Sequence, residues 1–244
     1  MFRNLKNRFN QIRERYRHGN NPEWGVFHLA STDRALGRIV ARGLRIGTVV
    51  DVGASNGSWS AACMRHLPDS EYLLLEAQRC HENKLVEFCK KHPNSKYILA
   101  AAGNEDGQCF FDDGDPFGGL AANESTAGCK TELPMVRLDT VMGRENLKGP
   151  YLLKLDTHGF ELQIIHGSEE MLRQTELAII EAYIFRLNDK AMLSHELCAE
   201  MDKRGFQLID FSEPMWRSKD MALWQWDLFF VKKTNPVFQS NSYA

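Results

Sequence analysis

Residues 49–57 read Val49-Val-Asp-Val-Gly-Ala-Ser-Asn-Gly57, a β-branched run that breaks into a glycine turn and then feeds a helical stretch over 59–67. Gly53 lets the chain turn tightly after a strand, and Gly57 lets the next helix begin close to the sheet. Nineteen residues beyond Gly57, Leu73-Leu-Leu-Glu76 ends a second buried run in a carboxylate. An acid at that place can accept both hydroxyls of an adenosine ribose. The turn lacks the middle glycine of GxGxxG, which lets the backbone approach a pyrophosphate. A ligand with an amino-acid end and an adenosine, but no phosphates, does not need that glycine. With Asp51 at the strand end, the turn therefore suits S-adenosylmethionine better than NAD. The plain alternative is a structural glycine turn beside an unrelated glutamate.

Outward from this turn the pattern alternates. Apolar runs at 48–52, 72–75, 96–101, 151–155, 177–183, 206–211 and 226–232 predict strands, and helical periodicity appears over 79–91, 160–172 and 194–204. Strand–helix alternation predicts an α/β domain with helices on both faces of a mostly parallel sheet of about seven strands. The last two strands are adjacent in sequence and read as antiparallel. Residues 112–130 read as a long surface loop beyond a short strand at 108–111, with Phe117, Gly118 and Gly119 available as a lid over an acceptor. Helices are expected over 2–16 and 32–42. The organisation is a helical N-terminal extension (1–45), one cofactor domain (46–233) and a polar tail (234–244).

The second informative stretch is Tyr151-Leu-Leu-Lys-Leu-Asp-Thr-His-Gly-Phe-Glu161. In an open α/β sheet, ligands sit at the carboxyl ends of strands, which places Asp156 and His158 where chemistry happens. His158 has a near-neutral reference pKa and suits removal of a hydroxyl proton. Glu161 falls in the first turn of a helix, where a carboxylate also serves as a cap. Glu181 ends the run Ile179-Ile-Glu181. Asp156 and Glu181 together offer oxygen ligands to a hard divalent cation, but paired structural acids are the favoured reading and no metal is assigned. The other seven histidines show no ligand spacing.

Charge narrows the partners. The 244 residues carry 30 basic and 32 acidic side chains, a net charge of −2. Residues 1–20 hold Arg3, Lys6, Arg8, Arg13, Arg15 and Arg17 against Glu14 alone, so this leader is +5 and the rest of the chain is −7. An acidic body argues against nucleic acid as a partner of the main domain. In the leader, Phe2, Leu5, Phe9, Ile12 and Tyr16 form an apolar stripe flanked by arginines. Residues 1–17 are expected to dock on the domain or a second subunit, or to lie on an anionic membrane surface; an unstructured leader is the third reading. Six cysteines without a CxxC pair read as reduced packing residues, and neither a secretory h-region nor a membrane-spanning run is present. These features are those of a cytoplasmic protein.

These residues resemble the FkbM-type S-adenosylmethionine-dependent methyltransferases. The resemblance rests on Asp51-Val-Gly-Ala-Ser-Asn-Gly57, Glu76, Val136-Arg-Leu-Asp-Thr140 and Leu153-Lys-Leu-Asp-Thr-His-Gly-Phe-Glu161, with His166-Gly-Ser168 and Asp227-Leu-Phe-Phe-Val231. It spans residues 46–232 and departs from the commoner Ala-Asn-x-Gly turn at Ser55 and Asn56. The resemblance implies a seven-stranded Rossmann-like methyltransferase fold with an antiparallel last strand, and methyl transfer to a hydroxyl of a small-molecule or glycan acceptor. It also implies that Asp51, Gly53, Ala54 and Gly57 line the methionine end of the cofactor, that Glu76 binds the ribose, and that Ala102 and Gly103 lie near the adenine. Asp156 and His158 would face the transferring methyl. Two alternatives stay open on the residues: an NAD-dependent sugar oxidoreductase, which the Ser55 turn and the lack of a Tyr-x-x-x-Lys dyad oppose, and a non-catalytic binding module.

Overall fold

The run Thr48–Val52 (β1) is buried at every position, as a strand covered on both faces must be. A computed structural model describes residues 29–116, 118–122, 124–125, 128–189 and 191–243. Helix α1 (Thr32–Ala41) precedes β1. Helix α2 (Ser58–Cys63), β2 (Glu71–Glu76), α3 (Glu82–Lys91) and β3 (Ser95–Leu99) follow it. The middle of the chain forms β4 (Ala101–Ala102), β5 (Gly107–Asp112), β6 (Leu120–Ala122), β7 (Thr131–Val136) and α4 (Leu138–Arg144). Then come β8 (Tyr151–Leu155), α5 (Glu161–His166), α6 (Glu169–Arg173), β9 (Thr175–Tyr183), α7 (Ser194–Lys203), β10 (Phe206–Trp216) and β11 (Leu223–Lys232).

The described residues form two sheets. The larger has seven strands in the order β10-β11-β9-β8-β1-β2-β3. Strands β3, β2, β1, β8 and β9 run parallel, and β11 is inserted antiparallel between β9 and β10. Side chains alternate between two cores. Val49, Leu74, Leu152, Ile179 and Phe229 face α1, α2 and α3, while Val50, Leu73, Leu153, Ile180 and Leu228 face α4 to α7 and the second sheet. Helix α1 buries Ala35, Leu36 and Ile39 in the first core and is pinned to β10 by Arg38, which donates to both carboxylate oxygens of Asp210 at 2.8 and 2.9 Å.

The smaller sheet, β4-β7-β5-β6, occupies the stretch expected to be mostly loop. Its strands carry weak local signals. Strand β6 is three residues long, and β7 contains Pro134, whose missing N–H normally demotes a run. Pro134 is tolerated because β4 pairs only with Met135 and Val136, leaving Pro134 a single strand neighbour. The expected strand 96–101 is likewise two. At Ala100, whose N–H donates to the Glu76 carbonyl, the chain leaves one sheet for the other. The expected helix 160–172 breaks at Gly167 and Ser168; a Cβ on Gly167 would lie 1.8 Å from the Gly103 carbonyl oxygen. In the tail, Pro236–Gln239 forms a 3₁₀ turn and Phe238 packs on the first core. The amphipathic stretch 2–16 and Phe117 lie outside the described residues. Among the described residues, no helix is long and apolar enough to cross a membrane.

Candidate functional site

The carboxyl end of the larger sheet breaks the apolar alternation. On the face that carries Val49, Leu74, Leu152, Ile179 and Phe229, the residue two positions nearer that end is Asp51, Glu76, Lys154, Glu181 and Asp227, respectively. All five are buried. Register places Asp51 opposite Lys154, and Glu181 opposite Asp227. A row of four acids and one ammonium so withdrawn from water calls for internal pairing or a ligand.

The glycine turn occupies one end of this row. Gly53 and Ala54 both donate their N–H groups to the Leu75 carbonyl at 3.0 Å, which ties the turn to β2. Gly53, Ser55 and Gly57 all have positive φ; the glycines adopt it freely, and Ser55 is strained. The Glu76 carboxylate accepts the N–H of Ser55 at 2.6 Å and that of Gln78 at 2.7 Å, one on each oxygen. This fixes its position and leaves a second lone pair on each oxygen for a ligand hydroxyl. Asp51 accepts from the Ser60 hydroxyl at 2.7 Å through one oxygen. Its other oxygen is buried without a partner, as are Ser55 Oγ and Trp59 Nε1. Each such orphan costs about 1–3 kcal/mol, and three of them gather at one turn.

At the neighbouring strand end, the Asp156 N–H donates to the Val52 carbonyl at 3.0 Å, and a Cβ on Gly53 would sit 2.1 Å from the Asp156 carbonyl oxygen. The two turns therefore touch. Lys154 is 2% exposed, donates to Asp156 Oδ2 at 2.8 Å and lies 5.3 Å from the centre of the Trp59 ring. Burial alone would push its ammonium down, but Asp156, Asp51 and Asp227 together hold it above the ordinary lysine value. Burial works against the ionised Asp156 too, and Lys154 and His158 outweigh it, keeping that carboxyl below its usual range. Asp227 has weaker support. Burial pushes it up to about 8 against the pull of Lys154, with Asp156 and Glu181 adding to the rise.

Asp227 yields a prediction. Its folded pKa lies above the unfolded value, so the folded state holds an extra proton between about pH 4 and 8, and its contribution to stability falls as pH rises through that window. Asp227→Asn mimics the protonated form. Thermal melts should show a variant less sensitive to pH over this range and more stable than the parent at pH 8 and above.

His158 lies on the loop between β8 and α5 with φ of 53°, a strained backbone of the kind that collects at working sites. Its Nδ1 is 2.7 Å from the Tyr183 hydroxyl and 3.0 Å from Glu181 Oε2. Burial would lower this imidazole, but the hydrogen bond and charge of Glu181, followed by Asp156 and Glu161, raise it to about 9. The near-neutral value expected from sequence is thus displaced upward by a partner that lies 23 residues away in the chain. Glu161 behaves as a local cap, accepting the Gly159 N–H at 2.8 Å and the Thr157 hydroxyl at 3.3 Å.

Asp156, His158 and Glu181 place one ligand atom each within 4.8 Å of one another, a geometry open to a cation. Their donors are already engaged. Asp156 faces Lys154, and Glu181 accepts from Tyr183 and Gln225 and faces His158. Ala102 and Gly103 stand apart from the cluster. Ala102 pairs with Val136, and Gly103 donates its N–H to the Val136 carbonyl; a Cβ on Gly103 would strike Met135 Sδ. Both are buried, and the Gly103 N–H is already committed. The described part of the 112–130 loop docks beside the β2 end. There Gln78 Nε2 donates to the Asp115 carbonyl at 3.0 Å, and His81 Nε2 lies 2.7 Å from the Pro116 carbonyl oxygen. These contacts tie that part of the loop, expected from sequence to form a lid over the acceptor, next to Glu76.

Lys154, Tyr183 and Asp227 have no role in the sequence reading, and Ser60 and Gln225 are not singled out by it. A lysine inside the buried run Tyr151–Leu155 was itself a signal, since lysine is almost never buried unpaired.

Comparison with known proteins bears on the family and the fold. No curated protein sequence matches the chain. Among solved structures, the FkbM methyltransferase of Methylobacillus flagellatus KT has a TM-score of 0.51 at 14% identity, over 85% of this chain and 50% of that one. The chain thus spans half the length of that protein, and the likeness is one of fold. Fibrillarin of Aeropyrum pernix, solved with natively bound S-adenosyl-L-methionine, gives a TM-score of 0.44 at 12% identity, over 81% of this chain and 74% of that one. Residues 51–208, more than half of the sequence, match the model of the methyltransferase FkbM domain, and the chain belongs to that family.

Proposed function

We propose that the chain transfers a methyl group from S-adenosylmethionine to a hydroxyl oxygen of a sugar, glycan or secondary metabolite. The observation that carries this reading is the contact between the glycine turn, with its three unpartnered buried polar atoms, and the Asp156–His158 turn. A cofactor site and a proton-accepting site are adjacent at one sheet end, as one-step group transfer requires. Asp51, Gly53, Ala54 and Gly57 would hold the amino-acid end, Glu76 the ribose, and Ala102 and Gly103 the surface beside the base. When bound, the cofactor supplies an electrophilic methyl on a sulfonium, whose carbon–sulfur bond breaks with its electron pair left on sulfur. Asp156, kept ionised by Lys154 and His158, would offer that cationic centre a negative charge, while burial pushes the neighbouring Asp51 carboxyl up. His158 takes the proton of the acceptor hydroxyl.

The wall beside His158 is aromatic. Trp224 stacks on Phe185 at 5.4 Å and meets Tyr183 edge-on at 6.1 Å, and the Arg217 guanidinium lies 3.8 Å from the Phe185 ring centre. Flat rings of this kind suit the apolar face of a cyclic acceptor. Arg217 is held by both oxygens of Asp220, so this wall adds little net charge. Trp226, by contrast, packs on the core and donates to the Ser194 hydroxyl.

Titration calorimetry with S-adenosylmethionine and with NADH tests the cofactor reading. Binding of the first alone is expected, and Glu76→Ala should weaken it roughly 10–100-fold, the loss of a charge-assisted hydrogen-bond pair. Binding of NADH alone would overturn the proposal in favour of the oxidoreductase, and binding of neither would favour a module without turnover.

A further inference from the structure

We infer that Glu181, together with the Tyr183 hydroxyl, is a positioning residue that fixes the His158 ring so that Nδ1 carries a proton and Nε2 accepts the one released by the acceptor hydroxyl. This rests on the methyl-transfer reading above and adds to it the atom that acts and the groups that select that atom.

Three atoms converge on a small triangle. Tyr183 Oη lies 2.5 Å from Glu181 Oε2, His158 Nδ1 lies 2.7 Å from Tyr183 Oη, and Nδ1 lies 3.0 Å from the same Glu181 oxygen. The phenol has one proton, and the shortest of these contacts directs it to Glu181. The face of Oη turned to Nδ1 is then a lone pair, and so is the face of Oε2. A bare Nδ1 would set its own lone pair against both. A protonated Nδ1 satisfies both at once, so these two acceptors favour Nδ1–H.

The triangle is rigid because each corner is held from elsewhere. Glu181 is 7% exposed, sits in the middle of the pairing between β9 and β11, and accepts from Gln225 through its other oxygen. Tyr183 is buried at the end of β9 and braced edge-on by Trp224. His158 is set in a left-handed backbone, and the next residue, Gly159, has φ of 99° with only 2.9 Å between a notional Cβ and Asn188 Nδ2. Among the described residues, Glu181 and Tyr183 from β9, Asp156 from the end of β8 and Glu161 from α5 all act on the ring.

In the step itself, the hydroxyl proton moves from the acceptor oxygen to Nε2, and the oxygen keeps the electron pair it shared with that proton as its new bond to carbon forms. The ring becomes an imidazolium whose charge is compensated by Glu181 through Nδ1–H. Glu181 touches neither acceptor nor cofactor in this scheme and acts only through His158.

The test reads the ring directly and needs no cofactor. With ¹⁵N-labelled histidine and His158 assigned by its loss in His158→Ala, nitrogen shifts across a pH titration report which ring nitrogen gives up its proton. The parent protein is expected to lose it from Nε2, leaving Nδ1–H. In Glu181→Gln the side-chain amide can donate to the ring, so the preference should weaken or reverse. The kcat for methyl transfer should then fall on the order of 10²-fold, with KM and the affinity for S-adenosylmethionine changed less than about threefold. Tyr183→Phe, which keeps Glu181, should show a smaller change of the same sign. Loss of the Nδ1 proton first in the parent would overturn the inference, as would an unchanged tautomer and kcat in Glu181→Gln. Stoichiometric Mn²⁺ binding by the parent, lost in Glu181→Gln, would overturn it in favour of a cation held by Asp156, His158 and Glu181. Should the parent bind no S-adenosylmethionine, the cofactor reading fails while the tautomer result still stands or falls separately. Should Glu181→Gln not fold, the parent titration alone decides.

Discussion

His158→Ala is expected to lower turnover roughly 10²–10⁴-fold, the range that a positioned general base contributes, while the affinity for S-adenosylmethionine stays the same. The separation of effects follows from where His158 sits. The groups that would hold the amino-acid end and the ribose belong to β1, β2 and the glycine turn, and those beside the base to β4 and Gly103. The imidazole stands on the β8–α5 loop and is held by β9. Calorimetry on the variant checks the first half, and a methyl-transfer assay with a turned-over acceptor checks the second; full activity would remove His158 from the mechanism. The pH dependence of the parent carries the same signature. With its pKa raised from an ordinary 6.5 to about 9, His158 is mostly an imidazolium at neutral pH, so kcat/KM should climb with pH up to about 9. Stability should move the opposite way. The favourable His158–Glu181 interaction is fully present below about 6.5 and is lost as pH rises through 9.

Lys154→Met should cost about 3 kcal/mol of stability, the low end for breaking a buried ion pair, because one partner, Asp156, is 35% exposed. For a chain of this size that is a fall in melting temperature of about 6–12 °C. Methionine conserves most of the volume, so the loss reports charge and not a cavity. The ammonium is the one lysine in the row, and it faces Asp51, Asp156 and Asp227. Without it these carboxyls titrate at higher pH in the folded state than in the unfolded one. The variant's deficit should therefore shrink as pH falls and those groups become neutral, and grow as pH rises. A melting temperature equal to that of the parent at pH 7–8 would show that the row is neutralised by other means.

How far local sequence reaches can be judged on particular elements. The glycine turn at 53–57, Glu76, and the Asp156–His158 loop were legible because each is a local event: a strand ends, a polar residue stands at its tip, and a glycine lets the chain reverse. The strands of the larger sheet were legible because burial on both faces requires unbroken apolar runs. In the smaller sheet only β5 was, as the short strand expected at 108–111. The other strands are short or, in β7, contain Pro134, and they exist because β7 finds β4 on one side and β5 on the other.

The amino-acid sequence by itself determined the α/β alternation, the cofactor turn and which polar residues stand at strand ends, since these depend on spacing within about 30 residues. The tertiary structure alone decided which of those residues meet. Asp51 and Lys154 are 103 positions apart and Glu181 and Asp227 are 46 apart, yet strand register sets each pair side by side. It also decided their charges. The ionisation of a buried group depends on the dielectric and on the neighbours supplied by other strands, so His158 becomes a cation held by Glu181 and Asp227 a carboxyl that keeps its proton. The face of the sheet that receives them, and the order in which β8, β9 and β11 lie beside β1, are set by packing over the whole domain, which no segment of the chain encodes alone.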